Sequence, residues 1–379
     1  MPRLLTLESF MAYFDLDPEE WEITKVNKWE QHSVRAGFVT LVQIVARRIR
    51  SSRVERSLEE ARAVVQQLIE DAKAHMPPAP MFHPADTGLP DEGEDIGEKV
   101  LYEIVVQDAH IGMLAWGKEV GRPYDLDIAV QDFGRAHEGL LPYRDVVIAG
   151  PKLYPIEKYL IVVGNDFLHV DAPSHNVRGG ATTAGTAQDV DTRLPKMFTH
   201  GRRALVNAID RVRARGLPVD VIVVPGNHDE QQMYRMGETL SAWYRNDPHV
   251  NVIYGAQKRK YYRYGGNAFM FTHGEEYKRA GRDNLPLIFA TEAPADVWAK
   301  SKVREIHTGH NHISMGGRYV PTQDQTETRA IRTRSLPGLT GTDAWHHVQG
   351  YKHLRAATAL AFRKSGGLVS LTEFNELND

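Results

Sequence analysis

The sequence predicts an α/β protein with a small accessory unit ahead of its main domain, and three observations carry that prediction. From Val100 onward, short apolar, β-branched runs alternate with stretches of helical periodicity, the pattern of layered strands and helices. The most apolar of these runs, such as Val221–Val224, read as strands buried in a sheet. Several of the runs stop at polar His, Asp or Asn residues, usually beside Gly, and in α/β sheets ligands bind in the loops beyond the carboxyl ends of strands. The chain has 379 residues, long for one domain, with 42% hydrophobic and 25% charged residues, ordinary values for a globular protein.

Taken in order, residues 1 to about 55 contain Trp21, Trp29 and an apolar run from Phe38 to Val45 that reads as a strand. Residues 56–75 place apolar residues at helical spacing among charges, which predicts an amphipathic helix. Residues 76–99 are rich in Pro, Gly and acidic residues and read as a linker. The expected division is therefore an accessory unit over 1–75, a linker over 76–99 and the main domain over 100–379. In that domain, strands are expected at Val100–Val106 and Tyr159–Val163, with a helix near 125–141 between them. A Gly/Thr/Ala-rich stretch at 176–190 reads as a mobile loop, and 196–215 as a helix leading to the strand Val221–Val224. Further strands are expected at Ala268–Thr272 and Val303–His307, and the tail mixes turn signals with an apolar segment from Leu354 to Phe362. No internal repeat or low-complexity tract is visible.

Composition narrows the chemistry. The absence of cysteine excludes disulfides and thiolate ligands, so any metal would be held by His, Asp, Glu or Asn. The N-terminal residues carry acidic groups where a signal peptide needs an apolar core, and no run reaches membrane-spanning length, so a cytoplasmic location without membrane contact is expected. A net charge of −3 provides no global basic field to draw the protein to nucleic acid.

The stretch Val221 to Glu230 is the organising one. Its strand is broken at Pro225-Gly226, after which Asn227, His228 and Asp229 follow in sequence. Asn227 can offer a carbonyl oxygen to a metal, His228 an imidazole to a substrate oxygen, and Asp229 can fix the tautomer of that imidazole. The same residues also suit a plain turn, so the chemistry depends on partners. Four other strands supply them: Asp108 and His110, Gly164-Asn165-Asp166, His273-Gly274, and Gly309-His310-Asn311-His312. Two imidazoles two residues apart on extended backbone, as at His310 and His312, face the same side. Such a set suits two divalent ions about 3.5–4 Å apart that clamp the attacking and leaving oxygens of a phosphoryl displacement, with a carboxylate shared between them. Imidazole and carboxylate ligands suit Mn, Fe, Zn or Ni and do not by themselves choose among them.

The order of these motifs resembles the calcineurin-like metallophosphoesterase superfamily, whose signature runs Asp-x-His, Gly-Asp, Gly-Asn-His-Asp/Glu, His and Gly-His-x-His, and the resemblance spans Asp108 to His312. It implies a two-sheet αββα sandwich with a dimetal site at the strand ends. It also implies that Asp108, His110, Asp166 and His312 hold one metal, and that Asp166, Asn227, His273 and His310 hold the other, with Asp166 bridging. Mn is the expected ion, with Fe, Zn, Ni or Mg as alternatives, and a metal-bridging hydroxide would attack phosphorus. His228 would face the substrate and Asp229 would orient it, while Asn165 and Asp171 compete with Asp166 for the bridging place. Asp-Ala-His-Ile-Gly and Gly-Asn-Asp-Phe-Leu-His further resemble strings of the DNA double-strand-break repair exonucleases, which places Asp166 as the bridge and makes His169 a substrate-positioning residue. The string QDVDTR, with the Trp-containing N-terminal unit, also looks like phosphoesterases of phages and prophages.

The functional expectation is a metal-dependent phosphodiesterase acting on DNA as a nuclease. Arg178, Arg193, Arg202 and Arg203 are candidates to contact backbone phosphates, though each equally suits a solvated surface. A hydrolase of small nucleotides or phosphomonoesters is the alternative, favoured slightly by the mild acidity, and a non-catalytic metal-binding scaffold is the third. Trp345-His346-His347 in the tail could line the pocket rim, but such clusters are more often ordinary packing. The sequence leaves homo-oligomerisation and protein partners open.

Overall fold

The computed structural model describes residues 21–33, 37–48, 95–173, 179–275, 284–310, 324–328, 330–350 and 354–375. The helix expected over 56–75 and most of the expected linker lie outside the described residues. The chain divides into two units, Met1–Met81 and Phe82–Asp379. In the first, β1 (Trp21–Ser33) pairs antiparallel with β2 (Gly37–Arg48), and the register slips between Ile23 and Lys25. Phe38–Val45 lies within β2. The period-two signal of β1 is broken at the slip, because apolar Trp21 and Ile23 are followed by Val26 rather than by position 25.

The second unit is a mixed α/β structure in which parallel and antiparallel strands form two main sheets with helices against them. Its chain order begins with β3 (Val100–Val105), α1 (Gly117–Val120), α2 (Leu126–Leu140), β4 (Val146–Ala149) and β5 (Lys152–Gly164). A small three-stranded sheet follows, made of β6 (Ala172–Pro173), β7 (Gly180–Ala181) and β8 (Ala187–Gln188), the last two within the stretch expected to be a mobile loop. Then come α3 (Leu194–Arg213), β9 (Val219–Val224), α4 (Glu230–Tyr244), β10 (Val250–Ile253), β11 (Lys260–Tyr264) and β12 (Asn267–Thr272). The remainder is α5 (Leu285–Glu292), α6 (Ala295–Ala299), β13 (Val303–Thr308), β14 (Asp324–Thr328), β15 (Ile331–Ser335), α7 (Ala344–Val348), β16 (Ala357–Arg363) and β17 (Leu368–Phe374).

The first sheet has the order β10-β9-β5-β3-β16-β17, parallel from β10 to β3 and antiparallel beyond it, with β4 on the early half of β5. The second has the order β11-β12-β13-β15-β14, in which β12, β13 and β15 are parallel. Side-chain alternation along the strands divides the apolar residues between faces. Tyr159, Ile161 and Val163 of β5 join a cluster with Phe133 of α2, Leu205 and Ile209 of α3 and Met236 and Leu240 of α4. Leu160 and Val162 face the other way, in a cluster with Phe269 and Phe271 of β12 and Phe362 of β16, so apolar side chains of both sheets share one core. The opposite side of β12 puts Ala268 and Met270 against Leu285 and Phe289 of α5. The apolar tail segment thus becomes β16, a central strand rather than an appended element. β5 is longer than its apolar run because its first residues, Lys152 to Pro155, pair with β4. No helix of the described residues is long and apolar enough to cross a membrane.

One polar network interrupts the core shared by the sheets. Glu103 of β3 accepts a hydrogen bond from His307 Nδ1 of β13 at 2.8 Å, and Glu305 of the same strand takes a forked pair from Arg334 of β15 at 2.7 and 3.3 Å. Glu103 and Glu305 are fully buried. Burial works against charge on His307, but the carboxylates of Glu103 and Glu305 more than offset it and raise the imidazole to about 9. A folded-state value above the unfolded one near 6.5 means stabilisation that is complete below pH 6.5 and is lost as pH rises through 9. His307→Gln is therefore expected to cost about 3 kcal/mol at pH 6 in chemical denaturation, the scale of breaking a buried pair, and to cost less at pH 9.5. A penalty that is the same at both pH values would contradict the charged pair.

Candidate metal centre

The parallel arrangement brings the candidate residues together. Neighbouring strands β3, β5 and β9 run the same way, so the loops bearing Asp108 and His110, Asp166, and Asn227 and His228 leave the same edge of the first sheet. β12 and β13 do the same for His273 and His310 in the second sheet. Main-chain bonds lace the loops together: Asp108 N–H donates to Asn165 O at 2.8 Å, His110 N–H to Asp166 O at 3.0 Å, and Gly309 N–H to His273 O at 3.0 Å. These loops are strained. Asp108, His110, Asn165, Asp166 and His310 all have positive φ, between 42° and 69°, and outside them Ala330 is the one other described non-glycine residue that does. Such conformations cost roughly 1–3 kcal/mol each and persist where the surroundings over-determine them, commonly at functional sites.

Asp166 sits at the centre. Its Oδ1 accepts the His228 backbone N–H at 2.7 Å, while Oδ2 lies 3.0 Å from His273 Nε2 and 3.9 Å from His110 Nε2. A Cβ on Gly226 would fall on Asp166 Oδ1, so glycine at 226 permits the approach of the two loops. The same His273 Nε2 is 3.0 Å from Asn227 Oδ1 and 3.2 Å from His310 Nδ1. His310 N–H reaches back to Asp108 Oδ1 at 3.3 Å. Among the described residues three groups of ligand-type atoms lie within 4.8 Å: His110, His169 and His228 form one, and the other two are Asp166, His273 and His310, and Asp108, His110 and Asp166. The last two make up the candidate pair. They share Asp166. His273 Nε2 is thus surrounded by an imidazole nitrogen, a carboxylate oxygen and an amide oxygen, a set with more lone pairs than protons to share among them. This donor chemistry fits divalent cations of the borderline class.

Electrostatics within the site follow from the crowding. Burial opposes the charge on Asp166, but His273, with His228 and His110, outweighs it and holds the carboxyl well below the usual range. Conversely, burial opposes charge on His273, and Asp166 raises it to about 9. Burial, together with the nearby His228, lowers His169 to about 3, so this ring is neutral. His169 Nδ1 lies 3.0 Å from His110 Nδ1, and the ring stacks 5.3 Å from that of His228.

Two expected roles fall differently. Asp229 does not contact the imidazole of His228: its carboxylate accepts from Gly226 N–H and Leu168 N–H, each at 2.9 Å, and it ties the two loops together. Burial and the charge of Asp166 push its pKa well above the usual value. The tautomer of His228 is set instead by the main chain, since Nδ1 donates to His169 O at 2.9 Å. Asn165 donates to Gln107 Oε1 at 3.0 Å, supporting the loop from behind. Asp171 caps α4 by accepting from Gln231 and Gln232 N–H at 3.1 and 2.9 Å.

His312 and Arg178 lie outside the described residues. Arg193 precedes α3, Arg203 is exposed along it, and Arg202 stacks over Trp243 at 5.1 Å. None of these three lines the cavity over the site, whose described walls are His110, Met113, Asp166, His228, His310, Thr340, Gly341, Asp343 and His346. Asp343 was not singled out in the sequence. The available signal was an Asp three residues before His346, the spacing of a helix cap, and Asp343 Oδ1 does accept His346 N–H at 2.7 Å.

Gly226→Ala removes no ligand but displaces Asp166, and manganese titrated calorimetrically into this variant is expected to bind about 10- to 100-fold more weakly than into the parent, the usual effect of disturbing a ligand's support. Unchanged affinity would show that the approach of the two loops does not shape the centre. In comparison with known proteins, the chain matches no protein-family model and no curated sequence.

Proposed function

We propose that the chain is a two-metal phosphodiesterase of the calcineurin-like metallophosphoesterase type, acting on DNA as a nuclease. The observation that carries this reading is the pair of ligand groups with Asp166 in common. Asp108, His110 and Asp166, completed by His312, would hold one ion, and Asp166, Asn227, His273 and His310 the other. When bound, such a pair supplies positive charge to the phosphoryl oxygens and acidifies a water molecule. In this reading the two sheets and their flanking helices are the αββα sandwich that the motif order implies.

The chain's own residues do the rest. Asp166 anchors the loop of His228 through the backbone N–H and so fixes the distance between that imidazole and the ligands. The carbonyl of His169 fixes the tautomer with the proton on Nδ1, which leaves Nε2 as the nitrogen for a substrate oxygen. The neutral His169 ring packs beside His228 and His110 and limits the rotation of both. Strained loops and buried carboxylates preorganise the arrangement before substrate arrives.

A small nucleotide or phosphomonoester is the second reading, favoured by one observation: the described lining of the cavity contains no lysine or arginine to track a nucleic-acid backbone. One panel separates the readings. Manganese-loaded protein is expected to cleave linear DNA and bis(4-nitrophenyl) phosphate, to be poor on 4-nitrophenyl phosphate and cyclic nucleotides, and to lose about 10²- to 10³-fold in rate as His228→Ala with metal retained. Robust monoester turnover with inert DNA would replace the nuclease reading by the second one. Bound metal with no turnover of any ester would leave a metal-binding scaffold.

A further inference from the structure

The segment Thr340–His346 supplies the part of the cavity wall that holds none of the ligand residues. We propose that His346, held by Asp343, donates the proton that the leaving oxygen takes up when the phosphodiester bond breaks, an inference that rests on the phosphodiesterase reading above. Asp343 Oδ1 accepts two bonds at once, from His346 N–H at 2.7 Å and from His346 Nδ1 at 2.8 Å. The carboxylate therefore fixes both the start of α7 and the orientation of the ring; as the proposed acid, the ring enters the reaction with a proton on each nitrogen.

Placement divides the work between the two imidazoles of the cavity. His228 belongs to the ligand wall: its N–H is bonded to Asp166, and its ring lies 4.7 Å from that of His110. In an in-line displacement the attacking and leaving oxygens lie on opposite sides of phosphorus. The described lining that carries neither ligand residues nor His228 is Met113, Thr340, Gly341, Asp343 and His346, and the proposal seats the leaving oxygen on that part of the wall. His346 is the nitrogen acid of that set, and the hydroxyl of Thr340 already donates to Gly341 O at 3.2 Å. As a water oxygen bonds to phosphorus and gives up its proton to the surroundings, the bond to the leaving oxygen breaks. Its electron pair stays on that oxygen, and the Nε2 proton of His346 moves onto it. The neutral imidazole then regains a proton from solvent while Asp343 stays ionised. The balance is phosphodiester plus water to phosphomonoester plus alcohol.

Leaving-group dependence tests this on the manganese-loaded full chain. In a series of aryl esters of one alkyl phosphate, His346→Gln should lose about 10²- to 10³-fold in kcat on the unsubstituted phenyl ester, whose leaving group needs a proton, and less than about 5-fold on the 4-nitrophenyl ester, which does not. KM and the manganese content by elemental analysis should be unchanged. Asp343→Asn keeps a helix-capping side chain and should show the same selective loss at smaller amplitude, which carries the test should His346→Gln fail to fold. Equal losses on both esters, or loss on neither, would overturn the assignment while leaving the phosphodiesterase reading intact. A parent protein inert on every ester would remove that reading and this inference together.

Discussion

The carboxylate of Asp166 is the constraint around which the second unit is built. It is buried, so its charge is tenable only if neighbours compensate for lost hydration. The His228 N–H and the imidazoles of His273 and His110 provide part of that compensation within the chain. Asp229, close by and also buried, takes the opposite course: it is pushed toward the protonated form and serves two backbone donors. Two carboxyl groups in one dry region thus take opposite courses, because imidazoles surround Asp166 while Asp229 is buried beside the charge of Asp166.

Holding Asp166 in place explains several features that otherwise look unrelated. The run of parallel strands β9-β5-β3 places three loops side by side, and the absence of a side chain at Gly226 lets two of them touch. Positive φ values at five non-glycine residues show that the loops are forced rather than relaxed, at a cost that the core must cover. That core is large, since each sheet packs helices on its outer side and both share the apolar layer between them. The buried network of Glu103, His307, Glu305 and Arg334 crosses the same layer and ties β3, which leads to Asp108, to β13, which leads to His310.

Much of this was legible in the sequence, for identifiable reasons. Runs such as Val221–Val224 and Ala268–Phe271 are apolar throughout because both of their faces are covered, and that signal survives without tertiary information. The candidate ligand residues that the structure describes stood out in the sequence because each lies in the loop just beyond a strand. Elements whose stability is tertiary were not: α4 begins without a cap from its own first residues, because the cap comes from Asp171, about sixty positions earlier. β14 and β15 are polar strands, in which Arg334 is buried only because Glu305 answers it from the neighbouring strand. The role expected of Asp229 shifted because adjacency in sequence gives no information about which of two neighbours, a side chain or a main-chain amide, a carboxylate will meet. Asp343 escaped notice because its partner in the cavity, His346, gains meaning only once β16 folds the tail back beside β3.

The central claim is that two cations share one carboxylate. The most direct test is electron paramagnetic resonance of the protein loaded with two equivalents of manganese(II). Ions bridged by Asp166 should give the spectrum of an exchange-coupled pair, and Asp166→Asn should abolish the coupling. A spectrum of isolated, uncoupled manganese at full loading would contradict the account, as would a protein that retains no manganese at all.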